Sequence, residues 1–135
     1  MKLYISGPMS SIGPPDYNRP AFARAAEVLR AAGHEVVNPA EADDPKAIDE
    51  EILEFGLTVV WCRTLARDIG YILLGGIDAV VCLPGWEESD GSRLELAAAY
   101  YAGIPMLEYA DGGLSPCPRV LVWTRPVWPV SGKVG

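Results

Sequence analysis

The chain has 135 residues, of which 50% are hydrophobic, so it is long enough for one domain that buries its own core. Its formal net charge of −7 argues against a surface that binds the phosphate backbone of a nucleic-acid duplex, and we expect no such partner. The three cysteines lie far apart and outside any CxxC or Cys/His spacing, so we expect free thiols and neither disulfides nor a zinc site.

The first predicted element is a strand over residues 3–6, which ends at a Gly-Pro pair. A loop rich in Ser, Gly and Pro continues to Pro20, and long loops directly after a strand often carry function. Because the initial apolar run is short, we expect neither a signal peptide nor a membrane span. We therefore expect a cytoplasmic protein. Residues 20–32 have helical spacing and stop at Gly33, which predicts a helix.

The remaining predicted elements alternate between helices and strands. We predict strands over residues 35–37, 79–83, 104–107 and 120–123. We predict two helices between residues 46 and 74, separated at Gly56, and another over 93–102. This alternation predicts a Rossmann-like (flavodoxin-like) three-layer α/β fold with a parallel sheet of about five strands, which binds ligands at its carboxyl edge. We assign residues 1–124 to one domain and 125–135 to an extended tail.

The segment SDGSRLE, from Ser89 to Glu95, carries the most chemical information. Ser89 and Gly91 would offer a hydroxyl and open backbone amides at the start of a helix, which suits a phosphate or another anion. A structural interpretation competes with this one. Ser92 and Glu95 have the spacing of a capping box, and the helix dipole favours an acidic residue in a first turn.

Several motifs together resemble the nucleoside 2-deoxyribosyltransferase superfamily. They are YISGPM, Y-N-R-P-x-F, G-H-E-V-V-N-P, RDI, L-P-G-W-E-E-S and SDGSRLE, and they span most of residues 1–107. The chain is similar to short phage- and bacteria-associated domains of this superfamily that have no assigned activity. The characterised enzymes that it resembles are deoxyribosyltransferases and nucleoside 5′-monophosphate N-glycosidases, which cleave the bond between a base and C1′ of the sugar. We expect neither a cofactor nor a metal.

The resemblance implies catalytic roles for three residues. Glu95 matches the catalytic Glu, and a carboxylate nucleophile below C1′ suits an oxocarbenium-like transition state, as in retaining glycosidases. Asp68 matches a family Asp and would orient the substrate or share a proton with it. Tyr4 matches the first-strand motif and would position the Glu95 carboxylate by a hydrogen bond. The alternative for Asp68 is an ordinary surface residue beside Arg67, and the alternative for Tyr4 is an aromatic residue of the core.

The resemblance also implies residues that bind substrate. Gly7 and Met9 match the first-strand motif, and Ser89 and Gly91 match the S-x-G phosphate contacts of the monophosphate N-glycosidases. Those enzymes carry a basic residue in the first loop, where the aligned position here is about Ser10. The charge of a phosphate must therefore be met by another part of the chain.

Three further side chains are candidates for substrate contacts. Arg19 and Arg93 are the available cations for a phosphate, although an isolated Arg is more often a solvated surface residue. Trp86 would stack on a base, or else would cover the sheet edge or a dimer contact.

The sequence thus predicts an enzyme that hydrolyses a nucleoside 5′-monophosphate or exchanges its base. The alternative is a module that binds or senses a nucleotide on the same fold without turnover. Related enzymes are oligomeric, and this chain has more aromatic residues than a small monomer readily buries. We therefore expect a homodimer or larger assembly that uses residues such as Trp61, Tyr71, Tyr100 and Tyr101.

Overall fold

A single five-stranded sheet forms the centre of the protein in its computed structural model, which describes residues 1–9 and 11–117. The strands are β1 (Lys2–Ser6), β2 (Glu35–Val37), β3 (Ala79–Cys82), β4 (Met106–Ala110) and β5 (Gly113–Pro116). Their order is β2-β1-β3-β4-β5, with the first four parallel and β5 antiparallel to β4. This is the strand order of flavodoxin-like sheets, and it confirms the predicted Rossmann-like fold.

Four helices connect these strands. They are α1 (Arg19–Ala31), α2 (Pro45–Phe55), α3 (Leu57–Leu74) and α4 (Asp90–Tyr101). The predicted division at Gly56 is confirmed, since this residue lies between α2 and α3 with φ 89° and ψ 155°, outside the helical region. No helix in residues 1–9 and 11–117 is long and apolar enough to cross a membrane.

The side chains of β1 alternate between two core clusters, one on each face of the sheet. Leu3 and Ile5 pack on the face that α1 covers, in a cluster with Phe22. Tyr4 points to the opposite face, where it packs in a cluster with Leu96 of α4. Because alternate residues share a face, Ser6 at the carboxyl end of β1 also points toward α4.

Gly7 directly follows β1 where the backbone approaches a neighbouring side chain. A Cβ atom at this position would lie 2.8 Å from Cβ of Leu83, closer than two such atoms approach. Only glycine therefore fits here without a shift of the backbone, and this close packing fixes the carboxyl end of β1 against the segment that follows β3.

The last two strands differ from the prediction. The strand predicted over residues 104–107 begins at Met106 and continues to Ala110. The chain then reverses through Asp111 and Gly112, both at positive φ, into β5, which we did not predict. Asp-Gly is a common two-residue hairpin turn, so the signal was present. The strand predicted over 120–123, the boundary at 124 and the tail over 125–135 lie outside the described residues.

Candidate active site

Glu95 is a buried carboxylate that two hydroxyl groups hold against the sheet. It lies on α4 and is 6% exposed. The Tyr4 hydroxyl donates a hydrogen bond to Oε2, and the Ser6 hydroxyl donates one to Oε1 at 2.8 Å. Both donors come from alternate positions of β1, so the strand presents them together on the face that packs against α4.

Burial has the largest effect on the pKa of the Glu95 carboxyl group. It raises the pKa of Glu95 to about 7, although the hydrogen bonds from Tyr4 and Ser6 favour the charged form and oppose the shift. Burial and the nearby negative charge of Glu95 raise the pKa of Tyr4 well above its usual value. The phenol therefore stays protonated at neutral pH and remains a hydrogen-bond donor to Glu95.

The capping-box interpretation of Glu95 is wrong. Helix α4 begins at Asp90 rather than at the predicted Arg93, and Ser89 is its N-cap. The Ser89 Oγ accepts a hydrogen bond from the backbone N–H of Ser92 at 3.2 Å. Glu95 therefore lies in the second turn of the helix, beyond the first-turn amides, and its partners are side chains of β1 instead.

Asp68 belongs to a charged cluster with two residues that the sequence did not single out as site residues. Arg67 donates to both carboxylate oxygens of Asp43 at 2.7 and 3.0 Å, and to Oδ1 of Asp68 at 3.0 and 2.9 Å. Burial raises the pKa of Asp68 to about 6, although the charge of Arg67 opposes the shift. Asp68 does lie beside Arg67, as the structural alternative held, but its side chain is only 15% exposed.

A cavity with a volume of about 140 Å³ opens between the carboxyl end of β1, the start of α4 and the pair formed by α2 and α3. Its polar lining includes Asp43, Arg67, Asp68, Ser89, Ser92 and Glu95. Its apolar wall includes Ile48, Ile52, Val60, Trp61 and Leu65. A cavity with a few polar groups and an apolar wall suits a small ligand that has both polar groups and apolar surface.

Most of the predicted site residues meet at this cavity. Those that line it are Gly7, Met9, Arg19, Asp68, Ser89, Gly91 and Glu95. Tyr4 does not line the cavity, and its hydroxyl reaches the site through its hydrogen bond to Glu95. Ser10 lies outside the described residues. Within the part of the chain that the structure describes, no group of three or more His, Cys, Asp or Glu side chains is arranged to hold a metal ion.

Two predicted contacts lie elsewhere. Trp86 is 3% exposed and packs in the core cluster with Tyr4 and Leu96, so its ring does not face the cavity. Arg93 is exposed on α4 and does not line the cavity either. Trp61, which we expect at a subunit contact, lines the cavity. Among the described residues, the aromatic side chains that line the cavity are therefore Trp61 of α3 and Tyr17 of the loop after β1.

Arg19 lines the cavity but is already engaged by the backbone. Its Nη1 donates hydrogen bonds to the carbonyl oxygens of Ala40 and Asp43. Arg67 donates hydrogen bonds to the side-chain carboxylate of the same Asp43. Two arginines from different helices thus fix the segment that leads into α2 at the edge of the cavity.

These features define an α/β protein with a flavodoxin-like sheet and a cavity at the carboxyl edge of that sheet, lined by the buried carboxyl group of Glu95 and the half-buried carboxyl groups of Asp43 and Asp68. The family model described as a domain of unknown function, DUF4406, matches residues 1–108, and the chain belongs to this family. The matched range includes every residue that lines the cavity. No curated protein and no solved structure matches the chain.

Proposed function

We propose that the protein cleaves the N-glycosidic bond of a nucleoside 5′-monophosphate, or exchanges its base, as an enzyme of the nucleoside 2-deoxyribosyltransferase superfamily. The observation that carries the proposal is the Glu95 carboxyl group, which is buried beside the cavity and held by the hydroxyls of Tyr4 and Ser6. A buried carboxyl group with a strongly raised pKa in a cavity is typical of a catalytic residue. The sequence motifs around these residues support the same assignment.

In the proposed reaction, the Glu95 carboxylate attacks C1′ of the sugar. The electron pair of the bond between C1′ and the base leaves with the base, which takes up a proton, and an ester forms between the sugar and Glu95. Water or a second base then attacks C1′, the bond between C1′ and Glu95 breaks with its electron pair returning to the carboxylate, and the attacking group gives up a proton that restores the proton donor. Asp68 is the candidate proton donor to the base, because burial raises its pKa to about 6 and so gives it a larger protonated fraction near neutral pH than an ordinary Asp has.

The start of α4 is the proposed phosphate site. The first amides of a helix carry partial positive charge and are open to an anion, and the Ser89 hydroxyl lies beside them. Ser89 and Gly91 both line the cavity. A 5′-phosphate bound here would place the sugar toward Glu95, which lies further along the same helix.

The apolar wall of the cavity is the proposed site of the base. Trp61 offers a flat ring, and stacking on such a ring contributes about 1–3 kcal/mol per base in single-strand binding proteins. Ile48 and Ile52 of α2 extend the same wall. A planar base would bury apolar surface against these side chains, while its sugar faces the carboxyl groups.

The experiment that tests the function is incubation of the purified protein with a panel of nucleosides and their 5′-monophosphates, with free base measured by chromatography. Release of a base from the monophosphates supports the proposal, and transfer to an added second base identifies the exchange reaction. Binding of a nucleotide without release of its base would support the alternative, a binding or sensing module on the same fold.

The proposed phosphate site leads to a separate prediction about ligand affinity. We expect the monophosphate to bind more tightly than the nucleoside, and Ser89→Gly to reduce this difference by about tenfold or more, because hydrogen bonds to a charged group are the stronger class. Glycine is accepted at an N-cap with little loss of stability, so this variant separates ligand binding from capping. Calorimetry measures both affinities. Equal affinities for the two ligands in the parent protein would contradict the phosphate site.

We also propose that the protein associates with a second copy of itself. Apolar side chains are exposed on α2 and α3, namely Leu53, Phe55, Leu57, Val59, Leu73 and Leu74. Tyr71 and Tyr101 are exposed as well, whereas Tyr100 is half-buried. Burial of these side chains against a second copy would favour association. Light scattering is expected to give at least a dimer mass, and a monomer mass without concentration dependence at micromolar concentration would contradict this.

A further inference from the structure

The Ser92 side chain is a buried hydroxyl without a partner. Ser92 lies in the first turn of α4, is 1% exposed and lines the cavity. Its backbone N–H donates to Ser89 Oγ, but its own Oγ has no hydrogen-bond partner among residues 1–9 and 11–117. Burial of a hydroxyl without a hydrogen bond costs free energy. A ligand in the cavity could supply the missing partner.

The position of Ser92 on α4 indicates which part of a ligand it meets. Ser89, Ser92 and Glu95 follow one another at intervals of three residues, so they lie on one side of the helix, about 4.5 Å apart along its axis. Ser89 belongs to the proposed phosphate site, and Glu95 is the proposed nucleophile for C1′. The sugar of a nucleoside 5′-monophosphate likewise lies between its phosphate and its base.

We propose that the Ser92 hydroxyl forms a hydrogen bond with a hydroxyl of the ligand's sugar and thereby determines which sugar the site accepts. This inference rests on the proposed function. A serine hydroxyl both donates and accepts, so it can pair with a sugar hydroxyl in either direction. A sugar without that hydroxyl leaves Ser92 buried and unpaired, and a site of this kind rejects ligands that lack the polar group.

The test uses four nucleoside 5′-monophosphates that share one base and carry the 2′-hydroxyl, the 3′-hydroxyl, both or neither. Calorimetry is expected to show that the parent protein binds the sugars with the recognised hydroxyl about tenfold more tightly than those without it. Ser92→Ala is expected to remove this preference. The matched control is Ser89→Gly, three residues earlier. It is expected to weaken the binding of all four ligands by the same factor, because all four carry the phosphate.

Thermal melting of the ligand-free proteins supplies a second readout. We expect Ser92→Ala to be at least as stable as the parent, because a buried methyl group replaces an unpaired hydroxyl. A lower melting temperature would show that the hydroxyl serves the fold, and it would overturn the inference. A ranking of the four sugars that Ser92→Ala leaves unchanged would overturn it too, while the proposed function stands. The shared base is one that the panel of nucleotides identifies as bound or released, so if that panel finds none, the proposed function fails and this inference fails with it.

Discussion

Replacement of Glu95 by Gln is expected to lower the rate of base release by about a thousandfold or more, while the protein stays folded and still binds nucleotide. The amide of Gln keeps the shape of the side chain, and its oxygen still accepts a hydrogen bond from Tyr4 or Ser6. It cannot attack C1′ as a carboxylate does. Chromatography of the released base, with parent and variant measured side by side, checks this prediction.

The matched control is Glu54→Gln, which removes one carboxylate from an exposed position of α2. It is expected to release base at the rate of the parent protein. An arabino-fluoro nucleotide analogue is expected to form a covalent adduct on Glu95 of the parent protein, which mass spectrometry of the digested protein locates. Undiminished base release from well-folded Glu95→Gln would end the assignment of the nucleophile.

The same substitution is expected to stabilise the protein at alkaline pH. Because the pKa of Glu95 is about 7 in the folded protein and about 4.5 for an unperturbed Glu, the folded state retains a proton that the unfolded chain has already lost. The stability of the parent protein therefore falls as the pH rises from about 4.5 to 7, by about 3 kcal/mol. Gln carries no charge at any of these pH values, so the free energy of unfolding of the variant does not fall for this reason.

Urea unfolding at pH 5 and at pH 8 measures the difference. Glu95→Gln is expected to gain about 2.5 kcal/mol relative to the parent protein between these two values. Glu54→Gln, which removes a carboxylate from an exposed position of α2, again serves as the matched control for the change in net charge. A difference between Glu95→Gln and the parent that does not change with pH would show that the carboxylate is not destabilised by burial.

The fold and the central residue of the site could be predicted from the sequence. The first strand, the division at Gly56 and the buried strand β3 carry strong local signals, because apolar periodicity and glycine act over short distances. Glu95 stands in a motif of adjacent residues. The competing capping interpretation arose because Ser89 and Ser92 are both acceptable N-caps, and the sequence does not show which of them starts the helix.

The rest of the site depends on contacts between distant residues. Asp43 and Arg67 are separated by 24 positions, and neither has a local pattern that identifies its partner. For a related reason, Trp86 was wrongly predicted to contact substrate, and the place of Trp61 at the cavity was not predicted. The short turn that holds Trp86 directs its ring into the core, whereas the packing of α3 beside the cavity exposes Trp61 to a ligand. Side-chain direction in such segments is set by tertiary packing.

The apolar wall of the cavity rests partly on a helix that contributes little to the core. None of the residues of α2 is fully buried, although Ile48 and Ile52 line the cavity. Substitutions at half-exposed positions cost little stability compared with substitutions in a core. The shape of the wall can therefore diverge through mutation while the sheet and the buried carboxyl groups stay intact, so the fold separates the evolution of ligand preference from the evolution of stability.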